Sequence, residues 1–245
     1  DDEEYEEATG GATTTASQLF RQLTPRERRL LEQMKGWATL ASARRDAKTK
    51  ALVQWLKQVV QPNGRWNNER VIIFTEYRAT QNWLHEILVA EGLATGDRLM
   101  TLYGGMDSDR REAVKAAFQA HPDQSDVRIL LATDAASEGI DLQNHCHRLV
   151  HFEIPWNPNR MEQRNGRIDR HGQQHDPLIY HFAPQGYEAR LHTAEVAAPN
   201  DLENDLEFLV KAVRKVEQIR EDLGKVGPVI AAQVEEAMLG KRNSL

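Results

Sequence analysis

At residues 71–74 the sequence reads Val71-Ile72-Ile73-Phe74, an apolar run of β-branched and aromatic residues. Such a run is typical of a strand that is buried on both faces of a sheet. Four similar apolar runs follow along the chain, and most of the runs are separated by helical patterns, including residues 80–90, 108–120 and 159–170. Strands that alternate with helices predict an α/β fold, a parallel sheet flanked by helices. The five predicted strands are Val71–Phe74, Leu99–Leu102, Val127–Leu131, Leu149–Phe152 and Leu178–Phe182.

Two helices are predicted ahead of the first strand. The first begins at Thr24-Pro25-Arg26-Glu27, because threonine can cap a helix, proline suits the first helical position and Glu27 completes a capping box. The second covers residues 46–60 and ends at Pro62-Asn63-Gly64. The predicted organisation is an acidic, disordered tail (1–17), a helical lead-in (18–62), the α/β lobe (63–198) and a helical C-terminal extension (199–245).

The composition indicates a globular protein of a reducing cytosol. The chain has 245 residues, of which 40% are hydrophobic and 28% charged. A single cysteine, Cys146, favours a reducing compartment. No apolar run approaches the ~20 residues of a membrane span, so a membrane partner is not expected. The chain starts without methionine inside an acidic stretch, which indicates a fragment of a longer protein.

The net charge of −6 comes from the N-terminal tail. Residues 1–7 carry six of the 37 acids, so the remaining chain has 31 acids against 31 bases. A basic cluster follows between Arg21 and Lys50, with nine bases and three acids. Either a solvated helical face or a surface that contacts phosphates would explain it, and the sequence leaves both open.

The loop after the third strand has the composition of a ligand-binding turn. Open parallel sheets bind ligands beyond the carboxyl ends of their strands. In residues 132–142, backbone amides and Thr133 can face a phosphate, Gly139 is flexible, and Asp141 can accept hydrogen bonds from sugar hydroxyls. The alternative is that Thr133-Asp134 only caps a helix.

A row of arginines follows the fourth strand. On the predicted helix 159–170, Gln163, Arg167 and Arg170 fall at i, i+4 and i+7 and share one face, with Arg160 and Arg164 beside them. Guanidinium forks suit polyphosphates, because each binds two oxygens and stays charged. For any single arginine, a solvated basic helix is the alternative.

These segments resemble a known family. Residues 163–170 resemble Q-R-x-G-R-x-x-R, the last conserved motif of superfamily 2 helicases, and the loop from Thr133 to Asp141 is similar to the motif that precedes it. Residues 71–77 and 102–106 resemble two earlier motifs of the same half, and residues 167–173 and 216–240 look most like the RapA-like branch of bacterial Swi/Snf-type ATPases. The resemblance implies the second RecA-like lobe of an ATP-driven motor.

The resemblance also implies a role for each matching residue. Arg167 and Arg170 match the arginine fingers that reach the γ-phosphate of ATP, and Gln163 matches the residue that reads the nucleotide state. Asp141 matches the acid that contacts the ribose, with Gly139 allowing close backbone approach.

A second set of residues matches positions along the tracked nucleic acid. Thr133 matches a contact to the phosphate backbone, and Thr75 and Gly105 sit at family positions near the strand. The implied partners are nucleic acid, with duplex DNA favoured, the first RecA-like lobe of the same polypeptide, and RNA polymerase as a further candidate.

The glycine-rich loop that binds phosphates in such ATPases is missing here. No G-x-x-x-x-G-K-[ST] pattern occurs, and the family places that loop and the acids that hold Mg²⁺ in the first lobe. ATP and Mg²⁺ would therefore be bound mainly outside this chain, and the chain alone is expected to be inactive as an ATPase.

Two other functional classes are weighed against the motor lobe. One is a scaffold that binds nucleic acid or polymerase without hydrolysis, which intact Arg167, Arg170 and Asp141 disfavour. The other is an unrelated nucleotide-binding enzyme, which the lack of a glycine fingerprint after the first strand disfavours. A metal site is not expected, because the spacing of the histidines at 145, 147, 171 and 175 fits no common zinc site.

Overall fold

The computed structural model describes residues 22–42, 45–134, 141–155, 157–183 and Arg214. No helix among these residues is long and apolar enough to cross a membrane. Five strands are described: β1 (Val71–Thr75), β2 (Leu99–Leu102), β3 (Ile129–Thr133), β4 (Arg148–His151) and β5 (Leu178–His181). The described α-helices are α1 (Pro25–Ser42), α2 (Ala47–Val60), α3 (Arg78–Ala90), α4 (Ser108–Gln119) and α5 (Pro158–Asn165), with a 3₁₀ turn at Pro62–Gly64.

The strands form one parallel sheet in the order β2-β3-β1-β4-β5. The predicted RecA-like α/β architecture is therefore confirmed. Strand β3 starts two residues later than predicted, because its register with β1 pairs Val71 with Ile129 and Thr75 with Thr133. The ends of β1 and β3 consequently lie level at the carboxyl edge of the sheet.

The core lies on both faces of the sheet. Along β1, Val71 and Ile73 pack on one face with helices α2 and α3, whereas Ile72 and Phe74 pack on the other face with α4. All five residues of β1 are buried. This burial explains why the run shows no polar alternation in the sequence. Helix α2 contributes buried residues to the first face, so the lobe's core includes a helix that the predicted boundary at residue 62 assigns to the lead-in.

The predicted helix starts ahead of the sheet are confirmed. Thr24 and Glu27 form a capping box, in which the Thr24 amide donates to Glu27 Oε2 (2.8 Å) and the Glu27 amide donates to Thr24 Oγ1 (3.3 Å). Asp46 caps α2 by accepting a hydrogen bond from the Thr49 amide at 2.7 Å. The chain turns out of α2 at Asn63 and Gly64, both with positive φ.

The prediction of a helix through residue 170 is wrong, since α5 ends at Asn165. The Asn165 carbonyl accepts from the amides of Ile168 (3.1 Å) and Asp169 (2.9 Å), which closes the chain into turns. These turns bury Ile168 completely in the core beside Leu142. Gln163, Arg167 and Arg170 therefore do not lie on one helical face.

Candidate nucleotide and nucleic-acid site

The candidate site lies at the carboxyl edge of the sheet. From β1 the chain crosses toward β2 on one side, and from β4 it crosses to β5 on the other. The strand order therefore diverges between β1 and β4, which is where open α/β sheets form a ligand crevice. Charged residues stand at this point: Glu76 follows β1, Glu153 follows β4, and Asp134 follows β3.

The buried Arg164 side chain connects the residues that follow β3 and β4. Its guanidinium is only 1% exposed and binds Asp134 with both arms, at 2.5 Å (Nε to Oδ1) and 2.8 Å (Nη2 to Oδ2). Its third nitrogen, Nη1, donates to the Glu153 carbonyl at 2.9 Å. A bidentate ion pair of this kind fixes the orientation of the guanidinium as well as its distance from the carboxylate. Arg164 thus fixes α5 to the ends of β3 and β4.

A buried histidine supports the same guanidinium. Nδ1 of His151 lies 3.3 Å from Nη1 of Arg164, and Nε2 lies 2.8 Å from Oδ1 of Asn165. A guanidinium can only donate, so Nδ1 is the acceptor and the His151 proton is on Nε2, where it donates to Asn165. A doubly protonated His151 would direct an N–H at Arg164 and lose this contact. The site therefore requires neutral His151.

His181 stacks on His151 with ring centres 4.8 Å apart and planes 3° from parallel. The two residues are paired neighbours on β4 and β5. Within the described part of the chain, neither ring nitrogen of His181 has a hydrogen-bond partner. Burial lowers the pKa of His181 from 6.5 to about 4. Burial, His181 and the Arg164 guanidinium together lower the pKa of His151 well below 6.5.

This pair makes the stability of the lobe depend on pH. Above pH 6.5, His181 is neutral in both the native and the unfolded state, so its protonation does not lower the free energy of unfolding. As the pH falls toward about 4, the unfolded chain binds the proton first and the free energy of unfolding decreases. In urea titrations, we expect His181→Phe to reduce the loss between pH 7.5 and pH 5 by about 2 kcal/mol. An unchanged pH dependence in the variant would contradict this assignment.

Further charges surround the Arg164–Asp134 pair on its solvent side. The Glu153 carboxylate accepts from the Glu76 amide at 3.2 Å, and burial raises its pKa despite the nearby Lys48. Lys48 lies 4.0 Å above the Phe152 ring, and burial lowers its pKa. Arg160 stands 3.9 Å from both Glu76 and Asp134 and is half exposed. The crevice thus presents a solvent-accessible guanidinium above a buried one.

The structure brings two of the predicted ATP contacts together. Arg170 forms an ion pair with Asp141, although 29 residues separate them in the chain. The Leu142 amide donates to the Arg167 carbonyl at 3.1 Å. This bond joins the Asp141 loop to the turn at residues 166–170, which we call the arginine turn. Arg170 and Asp141 are about half exposed, Arg167 is half-buried, and Gln163 points outward and is exposed.

The threonines predicted to contact nucleic acid are less exposed than Arg170 and Asp141. Thr75 and Thr133 lie side by side at the ends of β1 and β3, but both side chains are fully buried. Gly105 lies in the turn after β2 with φ 79°, a conformation that favours glycine. Gly139 lies outside the described residues.

Asp134, His151 and Asn165 are given no site role by the sequence prediction, which places Arg164 in the row of arginines suited to polyphosphate. In the structure Arg164 is instead buried and paired with Asp134. The sequence nevertheless contains a signal for the burial of Arg164. The apolar residues Met161 and Ile168 mark the inward side of this segment, and Arg164 follows Met161 at i+3. Met161 is 3% exposed and Arg164 1%. No local pattern, however, links Arg164 to Asp134.

Among the described residues, no group of three or more histidine, cysteine or acidic side chains is arranged to hold a metal ion. His145 packs edge-on against His121, and His147 packs against His175, with ring centres 5.1 Å and 4.9 Å apart. Each contact is between two rings only.

The five-stranded parallel sheet flanked by helices, followed by the arginine-rich turn at residues 166–170, defines a RecA-like α/β domain. Residues 48–172 match the helicase conserved C-terminal domain family. The chain belongs to this family.

The chain is also similar to individual proteins and to a solved structure. The chain is 35% identical over 152 residues to the uncharacterized ATP-dependent helicase YqhH of Bacillus subtilis (strain 168), covering 62% of this chain and 24% of that protein. It is 33% identical over 127 residues to the RNA polymerase-associated protein RapA of Serratia proteamaculans (strain 568), covering 52% and 12%. The solved C-terminal part of the Fun30 ATPase domain superposes with a TM-score of 0.49 at 20% identity, covering 71% of this chain and 54% of that one. The chain therefore spans a quarter or less of the curated relatives' length.

Proposed function

We propose that this chain is the second RecA-like lobe of a Swi/Snf-type ATP-dependent translocase that acts on duplex DNA. Arg167 and Arg170 reach the γ-phosphate of ATP, Gln163 reads the nucleotide state, and Asp141 with Gly139 contacts the ribose. ATP and Mg²⁺ bind mainly to the first lobe of the same polypeptide, so the chain alone does not hydrolyse ATP. RNA polymerase is a proposed partner, because relatives carry the name RNA polymerase-associated protein.

The observation that carries this proposal is the ion pair between Arg170 and Asp141. It places a guanidinium proposed for phosphate next to the carboxylate proposed for ribose. Since both groups are about half exposed, the pair contributes only ~0–1 kcal/mol to stability. An incoming polyphosphate can therefore displace Asp141 from Arg170 at small cost and release the carboxylate for a sugar hydroxyl.

The chemistry expected of the arginines is electrostatic. Negative charge is distributed over the oxygens of the γ-phosphoryl group as it transfers, and a guanidinium held there stabilises that state. Arg164 contributes indirectly, because its buried pair with Asp134 holds the start of the arginine turn against the sheet. The Arg164–Asp134 pair therefore positions the segment that carries Arg167 and Arg170.

On the nucleic-acid side we propose that Thr75, Gly105 and Thr133 contact the phosphate backbone. All three follow or end strands at the same edge of the sheet. Because both threonine hydroxyls are buried, this contact includes a rearrangement that exposes them when nucleic acid binds. Phosphate contacts set position and carry no base information.

We expect Thr133→Val, which keeps the side-chain volume but removes the hydroxyl, to weaken the nucleic-acid dependence of ATP turnover. The DNA concentration for half-maximal stimulation should rise about five-fold, as for one lost hydrogen bond of ~1 kcal/mol. Thr101→Val on β2 is the control and should not change it. A Thr133 variant that altered only base preference, or behaved like the control, would remove Thr133 from the contact.

The overall proposal is tested by ATP turnover of the full-length protein that carries this chain. Turnover should rise when duplex DNA is added, and rise less with single-stranded DNA or with RNA. The 245-residue chain by itself should show none. Turnover indifferent to every nucleic acid, or absent from the full-length protein, would favour a non-hydrolysing scaffold.

A further inference from the structure

Helix α1 carries an apolar stripe that no described part of the chain covers. Leu30, Met34 and Trp37 recur at i, i+4 and i+7 and lie on one face of the helix, which we call the α1 stripe. They are 50%, 67% and 72% exposed, and Leu31 and Leu40 beside them are also exposed. A single exposed leucine is ordinary, but a continuous row that includes tryptophan marks an interaction surface.

A matching pattern occurs later in the same chain. Residues 201–223, apart from Arg214, lie outside the described part, and their sequence repeats apolar residues at alternating spacings of four and three. This repeat is typical of a helix that pairs with another helix along a narrow seam. The α1 stripe has the same alternation. The repeat consists of Leu202, Leu206, Leu209, Val213 and Val216.

The charges of the two segments are complementary. Near its start, α1 carries three exposed arginines, Arg26, Arg28 and Arg29. Residues 201–207 contain four acids and no base. Opposite charges at the two N-terminal ends favour a parallel arrangement over an antiparallel one.

The fold also brings the two segments within reach of each other. The ring of Phe182, next to the last described residue after β5, lies 5.3 Å from Nζ of Lys48 in the first turn of α2. Helix α2 begins shortly after α1 ends at Ser42. The 17 residues 184–200 can extend ~56 Å, whereas the 18 residues of α1 extend about 27 Å. A tether of this length allows parallel pairing at high effective concentration.

We propose that residues 201–223 form a helix that packs in parallel on the α1 stripe of the same chain. The pairing buries Trp37 and joins the segments on either side of the lobe into one unit. This proposal is independent of the function proposed above, because none of its residues belongs to the candidate site.

The test is disulfide formation between introduced cysteines in the 245-residue chain. Met34→Cys combined with Val213→Cys places both thiols on the proposed seam. Lys35→Cys combined with Arg214→Cys is the matched control, one residue further along each segment and facing away from it. Cys146 does not compete, because it is buried and burial raises its pKa to about 12.

Under mild oxidation, the seam pair should form a disulfide within one chain at least about five-fold faster than the control pair. Changing Arg26, Arg28 and Arg29 to glutamate should remove this advantage without melting α1, since acids suit a helix N-terminus. Adding Asp205→Lys and Glu207→Lys, which lie level with Arg26 and Arg28 in this register, should restore it. Equal rates for both pairs, cross-links only between two chains, or indifference to the charge reversal would overturn the proposal.

Discussion

Replacing Arg170 with alanine in the full-length protein that carries this chain is expected to leave ATP affinity within a few-fold and to lower turnover by ~10³–10⁵-fold. That loss corresponds to ~4–7 kcal/mol of activation free energy. The reason is that the guanidinium acts on charge that develops during phosphoryl transfer, so its interaction is stronger in the transition state than with bound ATP. Nucleotide binding and steady-state turnover with saturating duplex DNA measure the two quantities separately.

Arg65→Ala is the matched control for this experiment. Arg65 is an exposed arginine that precedes β1 and is not among the residues proposed to contact ATP or nucleic acid. Its removal should change neither nucleotide affinity nor turnover. If Arg170→Ala and Arg65→Ala gave the same turnover, Arg170 would have no part in hydrolysis.

Replacing Arg164 with alanine is expected to lower the free energy of unfolding by ~3–5 kcal/mol, because it leaves the Asp134 carboxylate without its two-armed partner inside the protein. The loss is measured as a shift of the urea unfolding midpoint of the chain. Arg164→Lys should recover only part of it, since an ammonium cannot reproduce the two parallel hydrogen bonds.

Arg160 provides the control for Arg164, because it faces the same carboxylate from a different environment. Arg160 is 54% exposed and 3.9 Å from Asp134, whereas Arg164 is 1% exposed and 2.5 Å away. Arg160→Ala should therefore cost less than about 1 kcal/mol. Equal costs for the two variants would mean that burial does not strengthen the Arg164 pair. Arg164→Met with Asp134→Asn should cost less than Arg164→Ala alone, because no uncompensated charge remains.

Much of the fold is predictable from local sequence. The five strands, the capping box at Thr24 and the helix α2 follow from apolar runs, helical periodicity and capping residues, all of which act within a few positions along the chain. The helix through Arg170 is the instructive error. Its polar pattern continues past Asn165, but burial of Ile168 against Leu142 outweighs one further helical turn and bends the chain.

The sequence by itself determined the parallel α/β class, the segments that stand at the strand ends, and the arginine motif that resembles the helicase pattern. Each of these depends on residues that are close together in the chain. Only the tertiary structure decided that β1 lies between β3 and β4, and it thereby brought Asp134 to Arg164 and Asp141 to Arg170 across 30 and 29 residues. The physical reason is that strand order and register depend on packing both faces of the sheet at once, and the ion pairs form where that packing places the strand ends.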